Sequence, residues 1–489
     1  MKQLIYILII WMNAVYVSAQ EDTITLTLSQ AIQMAQYNSP QAISARHTFR
    51  AAYWNYRNFK ASYLPSIAFT SDPYLTRAIN KVGQPDGSVL FRRQDQLSMN
   101  GVVRINQNIP FTGGSLFVNT EIQRIDNLTD KSVFYQTSPV TIGYQQNLLG
   151  YNSLKWDRKI EPIRYEEAKK NYVETLELVA ANTVTRFFNL AHAQSNLEMS
   201  KFNYANADTL YIFAKGRYDI GTITENEMLQ LEINKLTEET SMMDARINID
   251  NSIQEFRSFL GIKDHVAIRV IVDETIPQFT VPEKEALSKA FTNNPDIEAF
   301  VRRKLESESS VAYAKSQSGF KADVYLQFGL TQTSSEIKDA YRSPLDQQQV
   351  SLGIRVPILD WGVGRGRIKV AKSNRDKVYT EIEQDRNNFE LNILRIVKQF
   401  NLQSDKVKIA QRTDETAQRR HEVARKLYLL GKSSILDLNS SISDKDGARN
   451  NYINSLYSYW NYFYALRSLT LYDFEKQIDI TEDYSLLLK

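Results

Sequence analysis

Cysteine is absent from the 489 residues, and histidine occurs only four times. The first absence excludes disulfides, thiolate metal sites, cysteine nucleophiles and a lipid-modified N-terminal cysteine. His47, His192, His265 and His421 have no partner at metal-ligand spacing, so they read as surface or seam residues, and no metal site is expected. No Gly-x-Ser-x-Gly elbow is present, and the carboxylates are spread as solvated helix faces spread them. With no catalytic constellation in view, neither enzymatic activity nor a cofactor is expected. An excess of one charge is missing too. Against 59 Lys and Arg stand 56 Asp and Glu, a net +3, without the basic stripe that nucleic acid requires. No nucleic acid partner is expected.

Long apolar runs are confined to the N-terminus, where Lys2 precedes an apolar stretch from Leu4 to Val17 and the small residues Ser18 and Ala19. This pattern predicts a signal peptide over 1–19, cleaved after Ala19, and export. Beyond it no window approaches twenty apolar residues, so the mature chain is expected to have no transmembrane helix. No Pro/Gly/Ser-rich linker divides the chain, and one interwoven architecture is expected.

What is present is a pattern stated twice. Leu28-Ser-Gln-Ala31-Ile-Gln-Met-Ala35 followed by Asn38-Ser-Pro40 returns as Glu283-Lys-Glu-Ala286-Leu-Ser-Lys-Ala290 followed by Asn293-Asn-Pro295. Arg217-Tyr-Asp-Ile-Gly221-Thr-Ile-Thr224-Glu-Asn-Glu227 is echoed by Leu427-Tyr-Leu-Leu-Gly431-Lys-Ser-Ser434-Ile-Leu-Asp437. Such repetition predicts a duplicated chain with a signal peptide over 1–19, repeats over 20–270 and 271–471, and a tail over 472–489.

Apolar residues at three- and four-residue spacing, such as Met242, Ile249, Ile253, Phe256 and Leu260, or Tyr452, Leu456, Tyr459, Phe463 and Leu466, predict coiled-coil seams. Two runs, 154–215 and 368–430, predict single helices of about 90 Å. Shorter helices are predicted over 30–62, 223–260, 283–318 and 434–470, and two of them end to end match one long helix. Strict alternation predicts strands after Pro65, at 97–109, 115–125, 139–149, 323–332 and 349–358. One face of each is apolar and the other small or polar. That suits strands between lipid and water, and equally a soluble sandwich. Four to six strands are too few for a closed membrane barrel, so a membrane reading requires sharing among subunits.

Gly362-Val-Gly364-Arg-Gly366 lacks the Lys-Ser/Thr of a phosphate loop and reads as a flexible strand-to-helix corner. The tyrosines at 452, 457, 459, 462 and 464 read as packing between helices. At the two tips, Gly221 and Gly431 suit helix ends, Thr224 and Ser434 suit N-caps, and Glu227 and Asp437 complete capping boxes. A second reading makes the acidic groups a ring at the narrow end of a tube.

The doubled Leu-Ser-x-Ala-Ile-x-x-Ala…Asn-x-Pro opening, Tyr63-Leu-Pro65-Ser, Val356-Pro-Ile-Leu-Asp360-Trp-Gly362 and the doubled tips together resemble the TolC-type outer membrane efflux protein family. The resemblance implies a mixed α/β membrane protein: a long α-helical coiled-coil barrel in the periplasm, joined to a transmembrane β-barrel in the outer membrane that a homotrimer shares. It also implies a passive exit duct for tripartite efflux or type I secretion, with a periplasmic adaptor, an inner-membrane pump and outer-membrane lipid as partners. A periplasmic gate is implied at Tyr428, Lys432, Glu227 and Asp437. The family's basic gate position falls on Ser433, with Lys432 beside it as the substitute, and its second acidic ring position falls on Ser440. Roughly 30 extra residues near 110–135 are either an additional hairpin or an elaborated loop. The rival reading is a periplasmic coiled-coil scaffold without a pore.

Overall fold

The computed structural model describes residues 23–262 and 266–488; the expected signal peptide and His265 lie outside the described residues. In chain order the elements are β1 (Thr23–Thr27), α1 (Leu28–Asn38), α2 (Pro40–Ala61), β2 (Ser66–Thr70), β3 (Tyr74–Gly83), β4 (Val89–Ile109), β5 (Gly114–Asn127), β6 (Ser132–Asn147), α3 (Ser153–Asp219) and α4 (Glu225–Leu260). The second half follows with β7 (Ala267–Ile271), α5 (Glu283–Asn293), α6 (Pro295–Gln317), β8 (Lys321–Ser334), β9 (Leu345–Arg355), α7 (Val363–Asn401), α8 (Gln403–Leu429) and α9 (Ile435–Thr470). The tail adds β10 (Tyr472–Asp473), β11 (Ile478–Asp479) and α10 (Tyr484–Leu487). Contacts divide the chain into a helical unit (up to Phe49, Lys169–Asn294 and Asn388 onward) and a sheet unit (Arg50–Ala168 and Pro295–Asn387).

Two expected helices are each broken once. The 30–62 run breaks at Ser39 and the 283–318 run at Asn294, both in extended conformation (φ −63°, ψ 145° and φ −69°, ψ 138°). Each precedes a proline, whose ring disfavours the helical region for the residue before it. Ser39 Oγ then accepts the Ala42 N–H at 3.1 Å, while Asn294 Nδ2 donates to the Leu469 carbonyl at 2.9 Å.

Of the two long runs, α3 is a single helix of 67 residues that passes through Pro162, roughly 100 Å at the usual rise. The run expected over 368–430 is two helices, α7 and α8, parted at Leu402. There the Asn401 side chain accepts the Val281 N–H at 2.9 Å and donates to the Val281 carbonyl at 3.0 Å, so a distant segment is clamped to the interruption.

The core of the helical unit follows the α9 seam. Tyr452, Leu456, Tyr459, Phe463 and Leu466 are all buried, together with Phe187 and Phe188 of α3 and Phe256 of α4. Phe400 of α7 lies 5.5 Å from the Tyr459 ring and 6.2 Å from that of Phe463. Burying side chains of this size contributes about 1.5–3 kcal/mol each. The Tyr459 hydroxyl donates to the Pro277 carbonyl at 2.5 Å, which satisfies its polar end inside the seam. The parallel pair of β1 and β7, which the alternation did not reveal, also belongs to this unit.

The sheet unit holds seven antiparallel strands in the order β2-β4-β5-β6-β8-β9, with β3 also on β4. β2 pairs with Val102–Asn106 and β3 with Val89–Ser98, so the two fill one strand-width, interrupted at 71–73. Pro73 offers no N–H there, and the Asp72 N–H is taken by Asn100 Oδ1 at 2.7 Å. Residues 110–135 are a turn, β5, a second turn and the start of β6, which makes them paired strands, with one bulge against β6 between Asn119 and Glu121, and not an elaborated loop. β9 ends at Arg355, three residues short of the expected 358, because Pro357 cannot donate to a ladder.

Register makes the two faces of the sheet chemically distinct. Ile67, Ile105, Val118, Ile142 and Phe328 stand side by side across five strands, while the neighbouring row reads Ala68, Arg104, Asn119, Thr141, Gly329 and Gln347. Above the β5–β6 turn, where the Leu128 N–H reaches the Asp95 carbonyl at 2.7 Å, β3 and the start of β4 continue alone as a two-stranded ribbon. At the corner after β9, Asp360 accepts the Gly362 and Gly364 N–H groups at 2.9 and 2.8 Å and so starts α7.

Candidate functional site: the two hairpin tips

Both tips are built by the same local chemistry. α3 ends with Gly221 at φ 73°, its N–H donating to the Tyr218 carbonyl (2.8 Å) while Thr222 N–H reaches Arg217 (2.8 Å). α8 ends with Gly431 at φ 70°, with the matching bonds from Gly431 to Tyr428 and from Lys432 to Leu427, both 2.9 Å. A left-handed residue is needed for this closure, and glycine adopts it without a steric penalty.

Each following helix opens with a capping box. Thr224 Oγ1 accepts the Glu227 N–H at 3.3 Å and Glu227 Oε2 accepts the Thr224 N–H at 3.1 Å. Ser434 Oγ accepts the Asp437 N–H at 3.2 Å, and Asp437 Oδ2 accepts from Ser434 N–H and Ser433 Oγ, both at 3.3 Å. The bonds from Ser434 and Ser433 hold the Asp437 carboxyl below the usual carboxylate range. Glu227 and Asp437 are thus turned toward their own N-caps.

Between the tips lies a small apolar cluster of Leu210, Ala214, Leu231 and Leu438. Tyr428 packs against it with Ile223 and Ile435, and half-burial pushes its phenol pKa up, with Arg217 opposing and Glu227 adding to the shift. The structure therefore brings Tyr428 and Glu227 into one electrostatic neighbourhood, with Arg217, which the tip motif contains but the sequence did not assign to the gate, as a third member. Lys432 is exposed, and among the described residues it forms no ion pair with Glu227. Ser433, at the family's basic position, hydrogen-bonds to Asp437. At the second acidic position Ser440 faces Arg420, whose guanidinium donates to Ser440 Oγ at 3.3 Å and also pairs with Asp444, one helical turn further on.

Elsewhere in the helical unit a cavity of about 550 Å³ is lined by Phe202, Asp414, His421, Lys445, Arg449 and Tyr452, among others. Its charges are largely committed, with Arg449 donating to Asp414 at 3.1 Å and Lys445 to Asn203 at 3.2 Å. Among the described residues no group of three or more His, Asp or Glu is placed to hold a metal ion.

Residues 286–470 match the family described as outer membrane efflux protein. The chain resembles that family in sequence and in fold. Its structure is similar to the Campylobacter jejuni CmeC outer membrane channel, with a TM-score of 0.67 and 16% identity over 94% of this chain and 88% of that one. It is also similar to the outer membrane protein VceC of Vibrio cholerae, with a TM-score of 0.63 and 12% identity over 91% and 95% of the two chains. Among curated proteins, toxin and drug export protein A of Aggregatibacter actinomycetemcomitans is 22% identical over 137 residues, 28% of this chain and 29% of the relative. The chain thus spans under a third of the length of the curated relatives it matches. The fold is that of the outer membrane efflux channels, and a helical hairpin tip joins α3 to α4 and α8 to α9.

Proposed function

We propose that the chain is one of three identical subunits of a passive outer-membrane exit duct, built from the repeats 20–270 and 271–471. Its sheet is placed in the bilayer, its helices in the periplasm, and its hairpin tips form the gate. The observation that carries this reading is the apolar face of the sheet, where Ile67 (71% exposed), Phe69 (70%), Val350 (69%) and Ile354 (60%) face away from any core. Lipid is the solvent in which such a face is stable, and the polar face opposite then borders water. Among the described residues no helix is long and apolar enough to cross a membrane. The sheet's two open edges, β2 and β9, are covered when copies of the chain pair edge to edge. A periplasmic adaptor and an inner-membrane pump supply docking and energy, and the export named for toxin and drug export protein A agrees with that division of labour.

Gating in this reading is the separation of the hairpins at Tyr428, Lys432, Glu227 and Asp437. The test is ionic conductance of the purified protein in planar bilayers, wild type beside Tyr428→Ala/Glu227→Ala and beside Thr224→Ala. Wild type is expected to conduct little and the double variant several-fold more, since loss of such contacts shifts a closed-open equilibrium by on the order of 1–3 kcal/mol. Thr224→Ala removes the cap and keeps the carboxylate; equal opening in it would move the gate from Tyr428 and Glu227 to helix capping. Protein that inserts and never conducts would favour the scaffold reading.

A further inference from the structure

We infer that the barrel built by this chain has eighteen strands and is wide enough for a polypeptide cargo that retains secondary structure. The inference rests on the trimeric duct proposed above. Six strand-widths come from each chain: β2 with β3, then β4, β5, β6, β8 and β9, each antiparallel to the next. The first and sixth run in opposite directions, so β9 of one copy beside β2 of the next continues the alternation unbroken. Both edges are free to do so. β2 is exposed along its whole length and β9 along nearly all of it, whereas β5 is partly or fully buried along most of its length.

Three copies of six strands give eighteen. With strands about 4.8 Å apart and tilted about 40°, the barrel is about 36 Å in diameter. Inward side chains of about 5 Å on each side leave an opening of about 25 Å, room for two helices side by side. Had residues 110–135 been a loop, four strands per chain would leave an opening of about 14 Å, little more than one helix. On the polar face Gly329, Gly353, Thr141 and Ser351 project little into that opening, while the Phe117 ring lies flat over Gly143 and stacks with Tyr325. A small drug would need no such width. A polypeptide exported with helices formed would.

Electron cryo-microscopy of the full-length protein in lipid nanodiscs counts copies and strands together. Three copies with eighteen strands are expected. Three copies with twelve would overturn the inference and leave the trimeric duct standing, whereas any other number of copies would overturn the trimer and the strand count with it. In planar bilayers, polyethylene glycols of up to about 10 Å radius, added on the barrel side, are expected to enter and lower the conductance. A cut-off near about 6 Å would instead match the narrow barrel and remove the polypeptide reading.

Discussion

Thr224 and Ser434 hold the same office in two tips, and each satisfies an N–H that its helix would otherwise leave unpaired. Replacing either by alanine is expected to cost about 1 kcal/mol, read as faster amide hydrogen exchange in the first turn of α4 or α9. Glu227→Gln is expected to keep most of that protection while removing the charge near Tyr428, so exchange and conductance together separate capping from gating. These capping residues were legible because a Thr-x-x-Glu or Ser-x-x-Asp signature is local. Arg217 near Tyr428, and Arg420 with Ser440 and Asp444, were not legible, because those contacts run between helices and depend on how the hairpins pack. His421 carries a pH dependence of its own. Burial first, then Lys445 and Arg425, lower its pKa, with Asp446 and Glu422 opposing. The unfolded chain takes up that proton near the ordinary value of about 6.5, so as the pH falls from there toward the folded pKa the unfolded state binds more protons and stability drops. The melting temperature is expected to fall between about pH 7 and 5, and His421→Gln to flatten the decline.

Among the elements, α9 shows how a seam is locked at its end. Arg467 donates to Glu177 of α3 at 2.7 and 3.1 Å and also pairs with Asp473 of β10, and both acidic side chains are almost wholly buried. Removing one member leaves buried charge without compensation, so Arg467→Ala is expected to destabilise the helical unit by about 3–5 kcal/mol, measured by thermal unfolding. The α9 seam itself was readable residue by residue, from Tyr452 to Leu466. The helix breaks before Pro40 and Pro295 were readable in principle, since proline restricts the residue before it, but the apolar periodicity runs through them and hides them. The break at Leu402 had no local signal, for the partner of the adjoining Asn401 side chain, Val281, lies 120 residues away. β3 and the outer half of β4 escaped the alternation because Arg77, Lys81, Arg93 and Asp95 replace apolar residues on the face that the rest of the sheet keeps apolar. Arg77 and Arg93 both pair there with Asp95.

For the whole molecule, the apolar face of the sheet predicts behaviour on fractionation. Alkaline carbonate is expected to leave the protein in the membrane pellet and detergent to release it, while release by carbonate alone would favour the scaffold. The apolar face was legible as alternation within single strands, yet alternation is equally the mark of a sandwich. Only the register across β2 to β9, which sequence spacing does not set, joins those residues into a continuous surface with two free edges. The ribbon of β3 and β4 lies beyond the level at which β5 turns, away from the strand ends that lead to the helices. Its turn carries Gly87 at φ 83°, with open space around it. In the outer-membrane duct proposed above, that turn would face outward and be the portion met first by antibody or bacteriophage. An epitope inserted after Gly87 would be detected without permeabilising the cell, and divergence there would change who recognises the bearer while leaving export untouched.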